Sequence, residues 1–163
     1  MAVRLDRIFD PATLARGRDY HRRGLVVSVE DNPADVRLIK EGVATVGADV
    51  ELRVYNNGKR AVEELTGSNG VPVESVNLVL LDLNVPGKSG LEILRLLRED
   101  PQFDTVPILT VSSSENPEDI RRVYDASANA YLTKPSDPDE FIQAIAAAVR
   151  FWIPSVATAS TND

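Results

Sequence analysis

Leu78-Val79-Leu80-Leu81 is an apolar run that halts at Asp82 and gives way at once to Leu83-Asn84-Val85-Pro86-Gly87. Apolar side chains at successive positions leave no polar face. A strand built from them is buried on both sides, as in a parallel sheet covered by helices. Pro86 and Gly87 stop the extended segment just past the acid, which puts Asp82 at the strand's carboxyl end. In open α/β sheets that edge is where ligands bind. Taken alone, the acid suits an acylphosphate nucleophile, a metal ligand or a loop carboxylate that caps a helix.

The flanking chain alternates strands with helices. Leu25 to Val29 is a short, β-branched strand ending in Glu30-Asp31-Asn32-Pro33. A helix of about Ala34 to Val46 follows, with Val36, Ile39 and Val43 inward, the Lys40 stem at the edge and Gly47 closing it. Asp49 to Val54 reads as a second strand, and Asn57-Gly58 begins a helix through Leu65 with Ala61, Val62 and Leu65 inward. Thr66 to Ser75 is a loop before the central strand. Gly90 to Glu99 is a helix with Leu91, Leu94 and Leu97 inside, and Pro107 to Val111 a strand. Asn116 caps a helix of Pro117 to Ala126, Asn129 to Thr133 is the last strand, and Asp137 caps a final helix reaching about Ile153. Five strand–helix units of this length predict a parallel sheet with helices on both faces.

Ahead of these units, Phe9-Asp10-Pro11 marks the start of a short basic helix to about Arg22, weakened by Gly17. The expected division is a basic, lightly docked extension over 1–24, one domain over 25–153 and a frayed tail over 154–163. His21, the sole histidine, reads as a solvated surface imidazole. Residues 1–24 carry six Arg against three Asp, whereas the net charge of the whole chain is −7. An acidic body repels nucleic acid, which argues against DNA as a direct partner. The absence of cysteine rules out disulfides and thiolate metal sites. No apolar run approaches a membrane span or a secretory leader, so the expectation is a cytoplasmic protein without a membrane partner.

The first strand of the domain ends in Glu30-Asp31, the third in Asp82, the fourth in Ser112 and the fifth in Lys134-Pro135. In a parallel sheet these ends share one edge. Three carboxylates packed together resist ionising unless a cation sits among them. Ligands that are all oxygen suit Mg²⁺, which keeps several waters and completes its shell with phosphate. A lysine and a hydroxyl aimed at the same point are suitable donors to phosphoryl oxygens. Together these features point to an aspartyl-phosphate site.

From Leu25 to about Ile153 the chain resembles the receiver domain of two-component response regulators. The resemblance rests on Val29-Glu30-Asp31-Asn32, on Asp82-Leu83-Asn84-Val85-Pro86-Gly87 with Gly90, on Ser112, and on Tyr131-Leu132-Thr133-Lys134-Pro135. It implies a flavodoxin-like, doubly wound (βα)5 fold with strand order 2-1-3-4-5. It implies Asp82 as the phosphoacceptor for a phosphohistidine of a sensor histidine kinase or phosphotransfer protein. Asp31, Asp82 and the Asn84 carbonyl are then Mg²⁺ ligands, and Glu30 acts through a metal-bound water. Lys134 and Ser112 are the phosphoryl partners, Tyr131 is the aromatic switch, and the Lys134–Pro135 bond is cis. Val85 stands where methionine is common and Ser127 where many relatives have glycine.

The segment Ala128 to Ser136 and the late Phe151-Trp152 resemble small stand-alone receivers of the bacteriophytochrome-associated type. No DNA-binding or enzymatic output is therefore expected in this chain. The changing surface would be helix 117–126, strand 129–133 and helix 137–153, with a homodimer through that surface or through the C-terminal helix. Two other readings stand beside this one. One is a small Mg²⁺-dependent aspartyl-phosphate phosphotransferase or phosphatase, disfavoured because Asn84 occupies the position where such enzymes want a second acid. The other is a phosphate-independent scaffold, disfavoured by the complete set of acids, hydroxyl and lysine.

Overall fold

The computed structural model describes residues 24–47 and 49–153. The expected helix over 11–22, His21 and the tail from 154 lie outside them. Five strands, β1 (Gly24–Val29), β2 (Val50–Tyr55), β3 (Val76–Leu81), β4 (Ile108–Ser112) and β5 (Ala130–Thr133), form one parallel sheet in the order β2-β1-β3-β4-β5. The helices between and after them are α1 (Pro33–Val46), α2 (Gly58–Thr66), α3 (Gly90–Glu99), α4 (Pro117–Asp125) and α5 (Pro138–Trp152).

Burial follows the strands' positions. Every residue of β1 and β4 is buried, whereas β2 at the edge alternates half-buried with exposed residues up to the buried Tyr55. One side of the sheet meets Ile39 and Val43 of α1 and Phe141, Ile145 and Val149 of α5. The other meets Ala61 and Leu65 of α2, Ile93, Leu94 and Leu97 of α3, and Val123 of α4. The two-sided core explains the unbroken apolar run in β3. The α1–α5 contact is close because position 42 is glycine: a Cβ there would come within 2.7 Å of the Ile145 Cβ.

Several details depart from the expectations. In α3 the buried face is Ile93, Leu94 and Leu97, while Leu91 is half-buried and lines a cleft against α4 with Leu83 and Val123. Spacings of one and four residues fit a helix flank tilted onto the sheet, and Leu91 falls just outside that stripe. Val62 is half-buried and Lys40 is exposed. The loop before β3 contains a short 3₁₀ turn, Val73–Ser75, and buries Val71 and Val73 against the core. A second 3₁₀ turn, Pro101–Phe103, carries the fully buried Phe103, which the alternating pattern does not reveal. Of the two late aromatics, Trp152 packs beside the α1–α5 core and Phe151 is 73% exposed.

Candidate functional site

The carboxyl ends of β1, β3, β4 and β5 converge as a parallel sheet requires. The amide of Glu30 donates to the Tyr55 carbonyl, that of Asp82 to Val29, and that of Lys134 to Ser112. These bonds continue the ladders one step past the strands and hold the three charged residues in register. Behind Asp82, Gly90 begins α3 under the Asp82 backbone; a Cβ at position 90 would overlap the Asp82 carbonyl oxygen. Ser89 caps that helix through a reciprocal pair with Glu92. Val85 is buried in the core, so the shorter residue at this position still seals the loop.

Oxygens of Glu30, Asp31 and Asp82 lie within 4.8 Å of one another. Glu30 and Asp82 are buried and Asp31 faces solvent. The cap of α1 is Asn32 and not the acid pair before it: its side chain accepts from Ala34 at 2.9 Å and Asp35 at 3.4 Å. Glu30 instead accepts from the Asn32 amide at 3.0 Å. The loop-acid alternative for Asp82 is partly right, since its Oδ1 accepts from the Asn84 amide at 3.1 Å. Its Oδ2 is 2.9 Å from the Lys134 Nζ.

Lys134 is the cation of this site. Its ammonium also contacts Glu30 Oε2 at 2.7 Å and Asp35 Oδ2 at 2.8 Å. Burial acts to lower its pKa, but the bonds from Asp35, Glu30 and Asp82 outweigh it and the value is raised. For Glu30 burial dominates and pushes the carboxyl up to about 7, although Lys134 and the Asn32 amide pull the other way. A buried acid poised near neutrality beside two further carboxylates is a donor set short of positive charge. Its all-oxygen composition fits a hard divalent cation such as Mg²⁺.

The remaining expected residues divide. Ser112 is fully buried at the end of β4, with its Oγ accepting from the Ser114 amide at 3.2 Å. Tyr131 reaches the same loop, donating its hydroxyl to the Ser114 carbonyl at 2.6 Å. Asn84 is exposed at the mouth of the site. The Lys134–Pro135 bond is trans, as are all described peptide bonds, which corrects the cis expectation. The lysine is aimed by three carboxylates, so its direction needs no isomer to set it. Asp35 is the residue that sequence reasoning missed: it sits in the first turn of α1 and reads as an ordinary N-terminal helix acid. Beside the acids, an open groove of about 540 Å³ runs past Arg37, Lys40 and Arg60.

Comparison with known proteins agrees with this architecture. The family profile described as the response regulator receiver domain matches residues 26–146. The chain is 32% identical over 134 residues to the response regulator Rcp1 of Synechocystis sp., a match covering 81% of this chain and 90% of that protein. The crystal structure of the phosphorylated cyanobacterial phytochrome response regulator RcpA superposes with a TM-score of 0.72 at 31% identity, covering 86% of this chain and 97% of that one. The Mn²⁺-bound form of Rcp1 gives a TM-score of 0.73 at 29% identity, with the same coverage. The chain therefore belongs to the response regulator receiver domains, the signalling modules of two-component systems.

Proposed function

We propose that this receiver accepts a phosphoryl group on Asp82 from a phosphohistidine of a sensor histidine kinase or phosphotransfer protein and acts as a signalling switch. The observation that carries this reading is the convergence on Asp82: two further acids with oxygens within 4.8 Å, and the Lys134 ammonium 2.9 Å away. A carboxylate oxygen of Asp82 attacks phosphorus, the P–N bond of the donor breaks, and the leaving imidazole takes the electron pair and then a proton. Asp31, Asp82 and the Asn84 carbonyl are the proposed ligands of Mg²⁺, with Glu30 acting through water. Bound there, the cation supplies charge neutralisation for the incoming phosphoryl group. Lys134 offers an N–H to a phosphoryl oxygen, and the Arg37–Lys40–Arg60 groove favours an anionic donor near the acids.

The phosphoryl group adds nearly two negative charges and three acceptors next to Ser112. Ser112 exchanging the Ser114 amide for a phosphoryl oxygen would release the loop that Tyr131 holds. The face of α4, β5 and α5 then changes for a partner or a second copy, with exposed Phe151 the apolar anchor at its far end. No turnover of a substrate is proposed, since the residue two places after Asp82 is Asn84 rather than an acid. No helix among the described residues is long and apolar enough to cross a membrane, and we place the protein's action in the cytoplasm without direct contact to nucleic acid. Residues 1–23 and 154–163 are proposed as extensions outside the receiver, Gly24 being the first residue of β1.

The test is incubation with Mg²⁺ and acetyl phosphate followed by intact mass. Wild type should gain one phosphoryl group, and Asp82→Asn or wild type with excess chelator should gain none. Equal labelling of Asp82→Asn would overturn the assignment.

A further inference from the structure

Lys134 sits among three carboxylates, and only two of them belong to the acid cluster of Glu30, Asp31 and Asp82. The third, Asp35, lies 2.8 Å from the Nζ, as close as Glu30 at 2.7 Å and Asp82 at 2.9 Å. Each acid comes from a different element: Glu30 from the end of β1, Asp82 from the end of β3 and Asp35 from the first turn of α1. An ammonium has three protons, and these three contacts use all of them. Asp35 is not one of the three residues whose oxygens cluster within 4.8 Å. It is held from behind: its amide is bound by the Asn32 cap.

We infer that Asp35 is a positioning residue for Lys134, holding the ammonium at the mouth of the site when its other two partners are claimed. The inference rests on the proposed role of Asp82. A divalent cation among Glu30, Asp31 and Asp82 competes for two of the lysine's three acceptors. Phosphorylation then replaces the Asp82 carboxylate by phosphoryl oxygens as the group that Lys134 must reach. Asp35 is engaged by neither event. Its ion pair fixes the end of a flexible four-carbon stem, so one N–H stays directed at the place where the phosphoryl oxygens arrive. A helix-terminal acid acting only on the α1 dipole would do none of this.

The test uses the full chain as wild type, Asp35→Asn, Asp35→Glu, Lys134→Ala and the Asp35→Asn/Lys134→Ala double variant. In metal-free protein, the rate of reductive methylation of Lys134 is followed by peptide mass spectrometry. Asp35→Asn should raise it several-fold and Asp35→Glu should restore it to near wild type. An unchanged rate in Asp35→Asn overturns the positioning role. With Mg²⁺ and acetyl phosphate, Asp35→Asn should slow Asp82 labelling about 10-fold when Lys134 is present, the size expected for one charge-assisted hydrogen bond. In the Lys134→Ala background the same substitution should change the rate less than about twofold. Equal slowing in both backgrounds would mean that Asp35 acts by its charge alone, and would also overturn the inference. A wild type that takes no label contradicts the Asp82 assignment instead, and the metal-free methylation rates then decide the role of Asp35 by themselves.

Discussion

Tyr131 on β5 donates its hydroxyl hydrogen to the backbone carbonyl of Ser114 across 2.6 Å. That one bond ties the second residue of the site's last strand to the loop after β4. The same Ser114 donates its amide to Ser112 and its hydroxyl to Asp119 on α4 at 2.7 Å. The loop, the Ser112 hydroxyl and α4 thus share one residue, so a displacement of Ser112 would have a defined route to the helix.

Tyr131→Phe keeps the ring against the core and deletes the bond. It should cost about 1 kcal/mol, the net value of a part-buried hydrogen bond. Chemical denaturation measures that loss. Labelling by acetyl phosphate should continue, while amide exchange over residues 113–116 should quicken; unchanged exchange would show that the tyrosine does not restrain the loop.

Glu30 gives the site a pH dependence. Its carboxyl is raised from 4.5 to about 7, mainly by burial. Below the lower value both folded and unfolded chains hold the proton. Between the two only the folded chain does, so the stability that the protonated acid contributes is lost as pH rises through about 7. Metal-free wild type should therefore lose stability relative to Glu30→Gln between pH 5 and 8 in denaturant melts. Mg²⁺ binding, which needs the ionised acid, should tighten over the same interval with proton release; calorimetry in two buffers of different ionisation heat reads both.

Arg98, at the end of α3, donates to the carbonyls of Ser127, Phe103 and Val106 and to the Asn129 side chain. Asn129 in turn accepts from the Ile108 amide at 2.8 Å. The guanidinium therefore stitches α3 to the start of β4 and to the turn before β5. Arg98→Ala should destabilise the fold by about 3 kcal/mol, because the part-buried carbonyls of Phe103 and Val106 lose a charged donor. Denaturation midpoints test this, and a loss below about 1 kcal/mol would show the carbonyls rebinding to water.

Ser127 has φ 67°, in the left-handed region that follows the end of α4. Its amide bonds Tyr124 and that of Ala128 bonds Val123, closing the helix. A Cβ is unfavourable in this conformation. Ser127→Gly should stabilise the protein by about 1 kcal/mol in thermal melts with no change in Asp82 labelling.

What could be read from residue order is what a parallel sheet dictates. The apolar run before Asp82 demanded two covered faces, and five strand–helix units then forced Glu30, Asp31, Asp82, Ser112 and Lys134 to one edge. Local chemistry also carried two caps: Asn116 and Asp137 each accept from helix-terminal amides. Long side chains that reach across the fold left no such trace. Asp35 and Lys134 are 99 positions apart, and Arg98 reaches Asn129 over 31. Neither pair produces a period or a motif. Phe103 hides in a 3₁₀ turn too short to show a periodicity, and Leu91 and Ile93 exchange roles through a small rotation of α3 on the sheet.

Asp82 is the proposed carrier of the phosphoryl group. Borohydride reduces an aspartyl phosphate to homoserine, so reduction of the protein after treatment with acetyl phosphate and Mg²⁺ marks the modified residue directly. Peptide sequencing by mass spectrometry should find homoserine at position 82 and nowhere else, and none in protein treated without the phosphodonor. Homoserine at another acid, or a reduction-resistant phosphate on Ser112, Ser113 or Ser114, would contradict Asp82 as the phosphoacceptor.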